Sequence, residues 1–273
     1  MLTNLRQTVR SLAKAPGYTL AFVLTLGLGI GLNTAIFSVI NGVLLAPLPY
    51  PDADRIVYVR QPALGSGVQN ALFSFQEVQH YREGSRTLDR FVEYGDWTFT
   101  VVADEDPHRA VGGLVTSNYF EALAPRPALG RTLGPEDDGA GPEPVMVLTH
   151  DYWTRAFGAA EDVMGRTVRL YAFADPTTTR IVGVLAPGTH YTGTRTQDFF
   201  VNYATNEHYQ SATMQDARTH RMTDVFARLR DGVTPEAAQA ELSALSEAAH
   251  QTYPDAYPPH LGYAITASPW QEE

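Results

Sequence analysis

From Ala15 to Pro51 the chain carries no charged side chain, a run of 37 residues in a sequence of 273. A bilayer core about 30 Å thick is crossed by about 20 helical residues rising about 1.5 Å each. The segment 18–45, YTLAFVLTLGLGIGLNTAIFSVINGVLL, exceeds that length and is predicted to be one transmembrane helix. A cleaved signal peptide would share the basic start, but its apolar region usually spans about 7–15 residues and ends at a small-residue cleavage motif. The run here is longer, and no A-x-A site follows it.

Charge divides the chain at this segment. Arg6, Arg10 and Lys14 precede it, whereas all 30 acidic residues and 17 of the 20 basic ones follow. Basic flanks remain on the cytoplasmic side, so the expected arrangement is single-pass, with the N-terminus cytoplasmic and the acidic remainder extracytoplasmic. Leu2, Leu5, Val9 and Leu12 make one helical stripe, and the three bases recur four apart on another face. Residues 1–15 are therefore predicted to form an amphipathic helix at the cytoplasmic interface, ended by Ala15-Pro16-Gly17. Within the span, Gly27 and Gly31 form a GxxxG pair and are the candidate helix-packing residues. Asn33 and Asn41 are polar groups that call for partners in lipid.

Beyond the span the pattern alternates. Residues 55–60 read as a strand, and Ser74 with Glu77 has capping-box spacing for a helix to about 83. Residues 91–103 read as a strand pair, 110–115 as a strand and 118–123 as a short helix. Strands at 144–148, 167–171, 180–185 and 198–202 surround a helix at 151–157. A strand at 224–230 precedes the clearest helix, with Thr234 as N-cap, Pro235 at its first position and an apolar stripe of Ala238, Leu242, Leu245 and Ala249. Residues 263–267 read as a returning strand. The fold class is α+β: one transmembrane helix, then an α/β lobe of residues 52–119 and 221–270, interrupted by an inserted β-rich lobe of 120–220.

Chemistry is sparse. The chain has no cysteine, which excludes disulfides, thiolate metal sites and thiol nucleophiles. GxSxG, HExxH, the P-loop and a post-strand GxGxxG are all absent. Eight histidines are scattered, none paired at i, i+3 or i+4. Glu136-Asp137-Asp138 reads as a solvated turn, lacking the spaced ligands of a calcium loop. A net charge of -10 argues against nucleic-acid binding. The expectation is no catalytic residue, no metal, no cofactor and no nucleic-acid partner.

Several segments resemble a known family. The N-terminal run LRQTVRSLAKAPGYTLAFVLTLGLGIGLNTAIFSVINGVLLAPLPYPDADRIVYV is similar to the start of MacB-like permeases, especially the ADOP group of duplicated orphan permeases. VTSNYFEALAPRPALGRTLGPEDD at 115–138, VMVLTHDYWTRAFG at 145–158, GRTVRL at 165–170, RIVGVLAPG at 180–188 and RLRDGVTPEAAQAEL at 228–242 resemble its periplasmic core domain. The resemblance implies an inner-membrane ABC transporter permease that does not pass substrate through its membrane core. It works instead as a mechanotransmitter, coupling cytoplasmic ATP hydrolysis to motion of a two-lobed periplasmic domain, one lobe porter-like. Implied partners are membrane lipid, further permease helices or a second copy, and a separate ABC ATPase. Permeases of this kind continue into three FtsX-like membrane helices, so the sequence to Glu273 is expected to be truncated before them. The alternative is a single-span membrane-anchored extracytoplasmic enzyme or sensor domain.

Overall fold

The longest strand organises the sheet. In the computed structural model, which describes residues 14, 16–43, 52–103, 106–138, 141–172, 175–189 and 195–270, β2 (Leu88–Ala103) runs for 16 residues. Its first part, Leu88 to Tyr94, pairs antiparallel with β9 (Asp224–Leu229). Its second part, Tyr94 to Ala103, pairs antiparallel with β3 (Asp106–Val115). The register shifts between Asp89 and Val92, where Arg90 takes φ 49°. The strand pair expected at 91–103 is thus one continuous strand, and its hairpin partner lies further on.

A ten-stranded sheet extends on both sides of this strand. On one side lie β9, β1 (Ile56–Arg60) and β10 (Thr266–Pro269). On the other, β3 leads to β8 (Phe199–Asn202), β5 (Val145–Leu148), β7 (Pro176–Leu185) and β4 (Pro127–Gly130). β6 (Thr167–Tyr171) pairs with β7 and with Thr100–Val102 of β2. The pairs β3–β8 and β5–β7 are parallel, and the others are antiparallel.

Helices cover the sheet where its strands, such as β1, β5, β8 and β9, bury side chains on both faces. Val57, Val59, Val225, Ala227 and Leu229 face α2 (Phe75–Gly84) and α7 (Pro235–Thr252), packing with Val78, Tyr81, Ala238 and Leu242. Their neighbours Ile56 and Phe226 point the opposite way, against Tyr119, Phe120 and Leu123 of α3 (Asn118–Leu123). In β5, Met146 and Leu148 join a third cluster with Tyr152 and Phe157 of α4 (His150–Phe157), whereas Val145 and Val147 join the α3 side. Gly112 is small for a reason: a Cβ there would stand 2.6 Å from the Phe99 ring and 2.5 Å from the Phe199 ring.

The helix termini follow the expected local chemistry. Ser74 and Glu77 form the capping box of α2, and the Thr234 side chain accepts from the Ala237 amide with Pro235 at the first turn of α7. The stripe on α7 is buried at Ala238, Leu242 and Ala249 and partly buried at Leu245. The solvated-turn reading of 136–138 is corrected at Asp137. It is 4% exposed, accepting from Arg131 at 2.6 and 2.9 Å and from the Gly134 amide at 2.8 Å. The returning strand lies at Thr266–Pro269, slightly later than expected, with Tyr263 in an isolated bridge to Ala63. Two short helices, α5 (Glu207–Gln210) and α6 (Ala212–Asp216), had no counterpart in the sequence reading.

Residues 1–48 and 49–273 are separate compact units. In the first, α1 (Pro16–Val43) is one uninterrupted 28-residue helix. The predicted span reached two residues further, and 44 and 45 lie outside the described residues. So does the segment 1–15, expected to form the interfacial helix, apart from Lys14.

Candidate functional site

The membrane-length helix comes first. Its 28 residues give about 42 Å at about 1.5 Å each, and Pro16–Ser38 has a mean hydropathy of 2.0. Leu20, Phe22, Leu24, Leu28, Ile30 and Leu32 are all exposed in this unit. Gly27 and Gly31 stand one turn apart, so they share a face. Among the described residues no atom outside the helix lies within 4 Å of where their Cβ atoms would be.

The second unit contains a cleft of about 610 Å³ between α2, β2 and the 203–215 segment. One wall is aromatic. The Phe75 and Tyr203 rings meet edge-on at 5.5 Å, and Tyr203 meets Tyr209 at 4.7 Å. The other wall is charged, with Arg82 Nη2 2.6 Å from Glu93 Oε1. Glu93 is 5% exposed, and its Oε2 has no hydrogen-bond partner among the described residues. Burial raises the Glu93 carboxyl above its ordinary value against the opposing pull of Arg82, and Asp138 raises it further. Burial and the Asp224 charge push the Tyr209 phenol up to about 12. Aromatic faces beside one ion pair can hold an amphipathic group.

Elsewhere, Ser246 Oγ lies 3.2 Å from His250 Nε2, one turn apart on α7. A nucleophile–base pair also needs a group that orients the base and donors for the developing oxyanion. Among the described residues nothing hydrogen-bonds His250 Nδ1, and Ser246 is buried. His108 Nε2 meets the Tyr152 hydroxyl at 2.7 Å, without a serine or threonine hydroxyl in that hydrogen bond.

One juxtaposition was invisible in the sequence. His208 on α5 and His220 are twelve apart, yet their Nε2 atoms are 3.2 Å apart and their rings 4.9 Å between centroids. Met222 Sδ lies 3.1 Å from His220 Nε2. Helical spacing does not reveal the pair, because the two rings are twelve residues apart and no single helix carries both. No group of three or more His, Asp or Glu side chains converges as a metal site among the described residues.

A sheet this long, with an N-terminal apolar helix ahead of it, matches known proteins. Residues 19–245 match the model of the MacB-like periplasmic core domain. This chain belongs to that family. The solved structures similar to it include the periplasmic region of MacB from Actinobacillus actinomycetemcomitans, at 14% identity and TM-score 0.56, over 80% of this chain and 89% of that one. A domain assigned to a permease protein from Porphyromonas gingivalis is similar at 16% identity and TM-score 0.57, over 81% of this chain and 93% of that one. The extracellular domain of the noncanonic ABC-type transporter YknZ from Gram-positive bacteria is similar at 12% identity and TM-score 0.54, over 78% and 99% respectively. No curated protein matches the chain. The MacB-like domain is thus an α/β body with a β-rich sheet, and the cleft and the histidine pair lie within it.

Proposed function

We propose that the chain is a permease component of a MacB-like ABC transport system, converting cytoplasmic ATP hydrolysis into motion of an extracytoplasmic domain. The carrying observation is the family match over residues 19–245, which spans both most of the apolar helix and most of the domain. On this reading α1 is a single inner-membrane span with the N-terminus cytoplasmic, in keeping with the bases before it and the acidic residues after it. Gly27 and Gly31 are the face on which another permease helix, or a second copy of this one, packs. A non-enzymatic role is in keeping with the family match and with the similarity to permease and transporter domains.

The domain is proposed to work as two lobes joined through β2. Residues 52–119 and 221–270 make the porter-like lobe, supported by the pairing of β1 with β9 and β10 and by the shared core of α2 and α7. Residues 120–220 make the inserted lobe. Crosslinked membranes carrying the tagged full chain are expected to yield an ABC ATPase bound to it. Spin labels on α2 and α4 in that complex should change separation when ATP is trapped with vanadate. If no ATPase is recovered, or if the separations ignore nucleotide, the coupling reading fails.

A further inference from the structure

The His208–His220–Met222 cluster has the donors of a site for a soft monovalent cation. We infer that these three side chains bind Cu(I), and its analogue Ag(I), through two imidazole nitrogens and one thioether sulfur. The two Nε2 atoms are 3.2 Å apart, and Met222 Sδ is 3.1 Å from the second. An ion about 2.0 Å from each nitrogen would see them at an angle of about 105°, within the range of trigonal and tetrahedral sites. Both rings present Nε2, the nitrogen whose lone pair a metal takes once its proton leaves. A thioether is a poor ligand for Zn2+ and a good one for Cu(I), so the methionine sets the selectivity.

The surroundings suit the assignment. Met222, partly buried, also packs against the cluster that contains Tyr152 and Phe199. Its amide donates to the Phe73 carbonyl at 3.1 Å, tying it to the strand pairing just before β9. His208 sits on a four-residue helix whose next residue, Tyr209, lines the cleft. An ion here would fasten α5 to the segment entering β9 and set the position of one cleft wall. The chain contains no cysteine, so no thiolate competes for a soft ion within it. The site does not depend on the coupling proposed above, because its ligands all come from residues 208–222.

The test is Cu(I) titration of the detergent-solubilised full chain under anaerobic reducing conditions, against bicinchoninate as competitor. One equivalent is expected to bind. Met222→Leu preserves volume and removes the sulfur, and it should weaken Cu(I) binding at least tenfold. His220→Gln should abolish the competition. Copper K-edge absorption of the loaded wild-type chain should show two nitrogens and one sulfur. A wild-type chain that fails to compete, a Met222→Leu variant with wild-type affinity, or a copper shell without sulfur would each overturn the assignment. Thermal melts of both variants check that loss of binding is not loss of fold. If His220→Gln melts early, Met222→Leu and the absorption spectrum still decide.

Discussion

Arg221 and Glu77 form a buried ion pair: Nη2 lies 2.8 Å from Oε1, with the two side chains 8% and 0% exposed. The residues are 144 apart in sequence. Glu77 also closes the capping box of α2, and Arg221 also donates to the Ala256 carbonyl at 3.0 Å. Its guanidinium stands 4.5 Å over the Tyr263 ring and 5.2 Å over the Tyr257 ring. One cation therefore joins the start of α2, the entry to β9 and the segment after α7. Burial pulls the Arg221 pKa down, but the Glu77 carboxylate outweighs it and holds the group above its ordinary value.

Removing one partner should be worse than removing both. Arg221→Met leaves a fully buried carboxylate without its cation, a loss of about 3–5 kcal/mol. Adding Glu77→Gln to that variant is expected to recover part of the loss. Denaturant titration followed by tryptophan fluorescence measures this cleanly, because Trp97, Trp153 and Trp270 all lie in the second unit. A double variant less stable than Arg221→Met alone would refute it.

Leu242 is fully buried between α7 and the β1–β9 face, whereas Leu245 is only partly buried. Leu242→Ala should cost about 2–5 kcal/mol, and Leu245→Ala clearly less. Leu242→Asp should unfold the domain while α1 still inserts, since the two are separate units. Equal midpoints for the two alanine variants would contradict this placement.

Two carboxylates should give opposite acid responses. Burial and the Asp96 charge raise Asp224 to about 6, against Arg60 and the Asn70 amide, which donates at 3.0 Å. With its folded pKa above the unfolded one, Asp224 binds more protons in the native state, and its contribution is lost as pH rises through about 6. Asp224→Asn should be more stable than wild type at pH 7.5, and the gap should close towards pH 4. For Glu241, burial acts upward but is overcome by hydrogen bonds from Ser85, Thr87 and the Arg86 and Thr87 amides, which hold it at about 2. Its contribution is present above about pH 4.5 and fades as pH falls towards 2. Glu241→Gln should be less stable at pH 7.5, with the gap closing on acidification. Melts at four pH values would expose either trend running the wrong way.

In membranes, Gly27→Leu with Gly31→Leu should reduce helix–helix crosslinking without reducing insertion, because leucine inserts well and only close approach is lost. Unchanged crosslinking would remove the packing role.

Local chemistry was what the sequence displayed. Ser74 and Glu77, Thr234 and Pro235, and the runs VMVL and FFV report on themselves, because caps and doubly buried strands depend on near neighbours. The length of β2 was hidden. Its distal part carries Thr98 and Thr100 and is held by β3 and β6, partners that only the fold supplies. Asp137 looked solvated because its partner Arg131 lies across a turn of no regular period. The cleft was illegible for a similar reason: Glu93 meets Arg82 only once β2 has turned back beneath α2.

The shared strand has a mechanical meaning. Along β2 the ladder to β9 hands over to the ladder to β3 at Tyr94, the residue common to both. A pull along that strand loads its hydrogen bonds side by side, in shear, and does not unzip them one after another. Shear-loaded sheets are stiff along their strands, so under the coupling proposed above a displacement at the β9 end would arrive at the β3 end with little lost to stretching. The compliant direction is across the strands, where the register slip beside Arg90 gives the beam a place to bend.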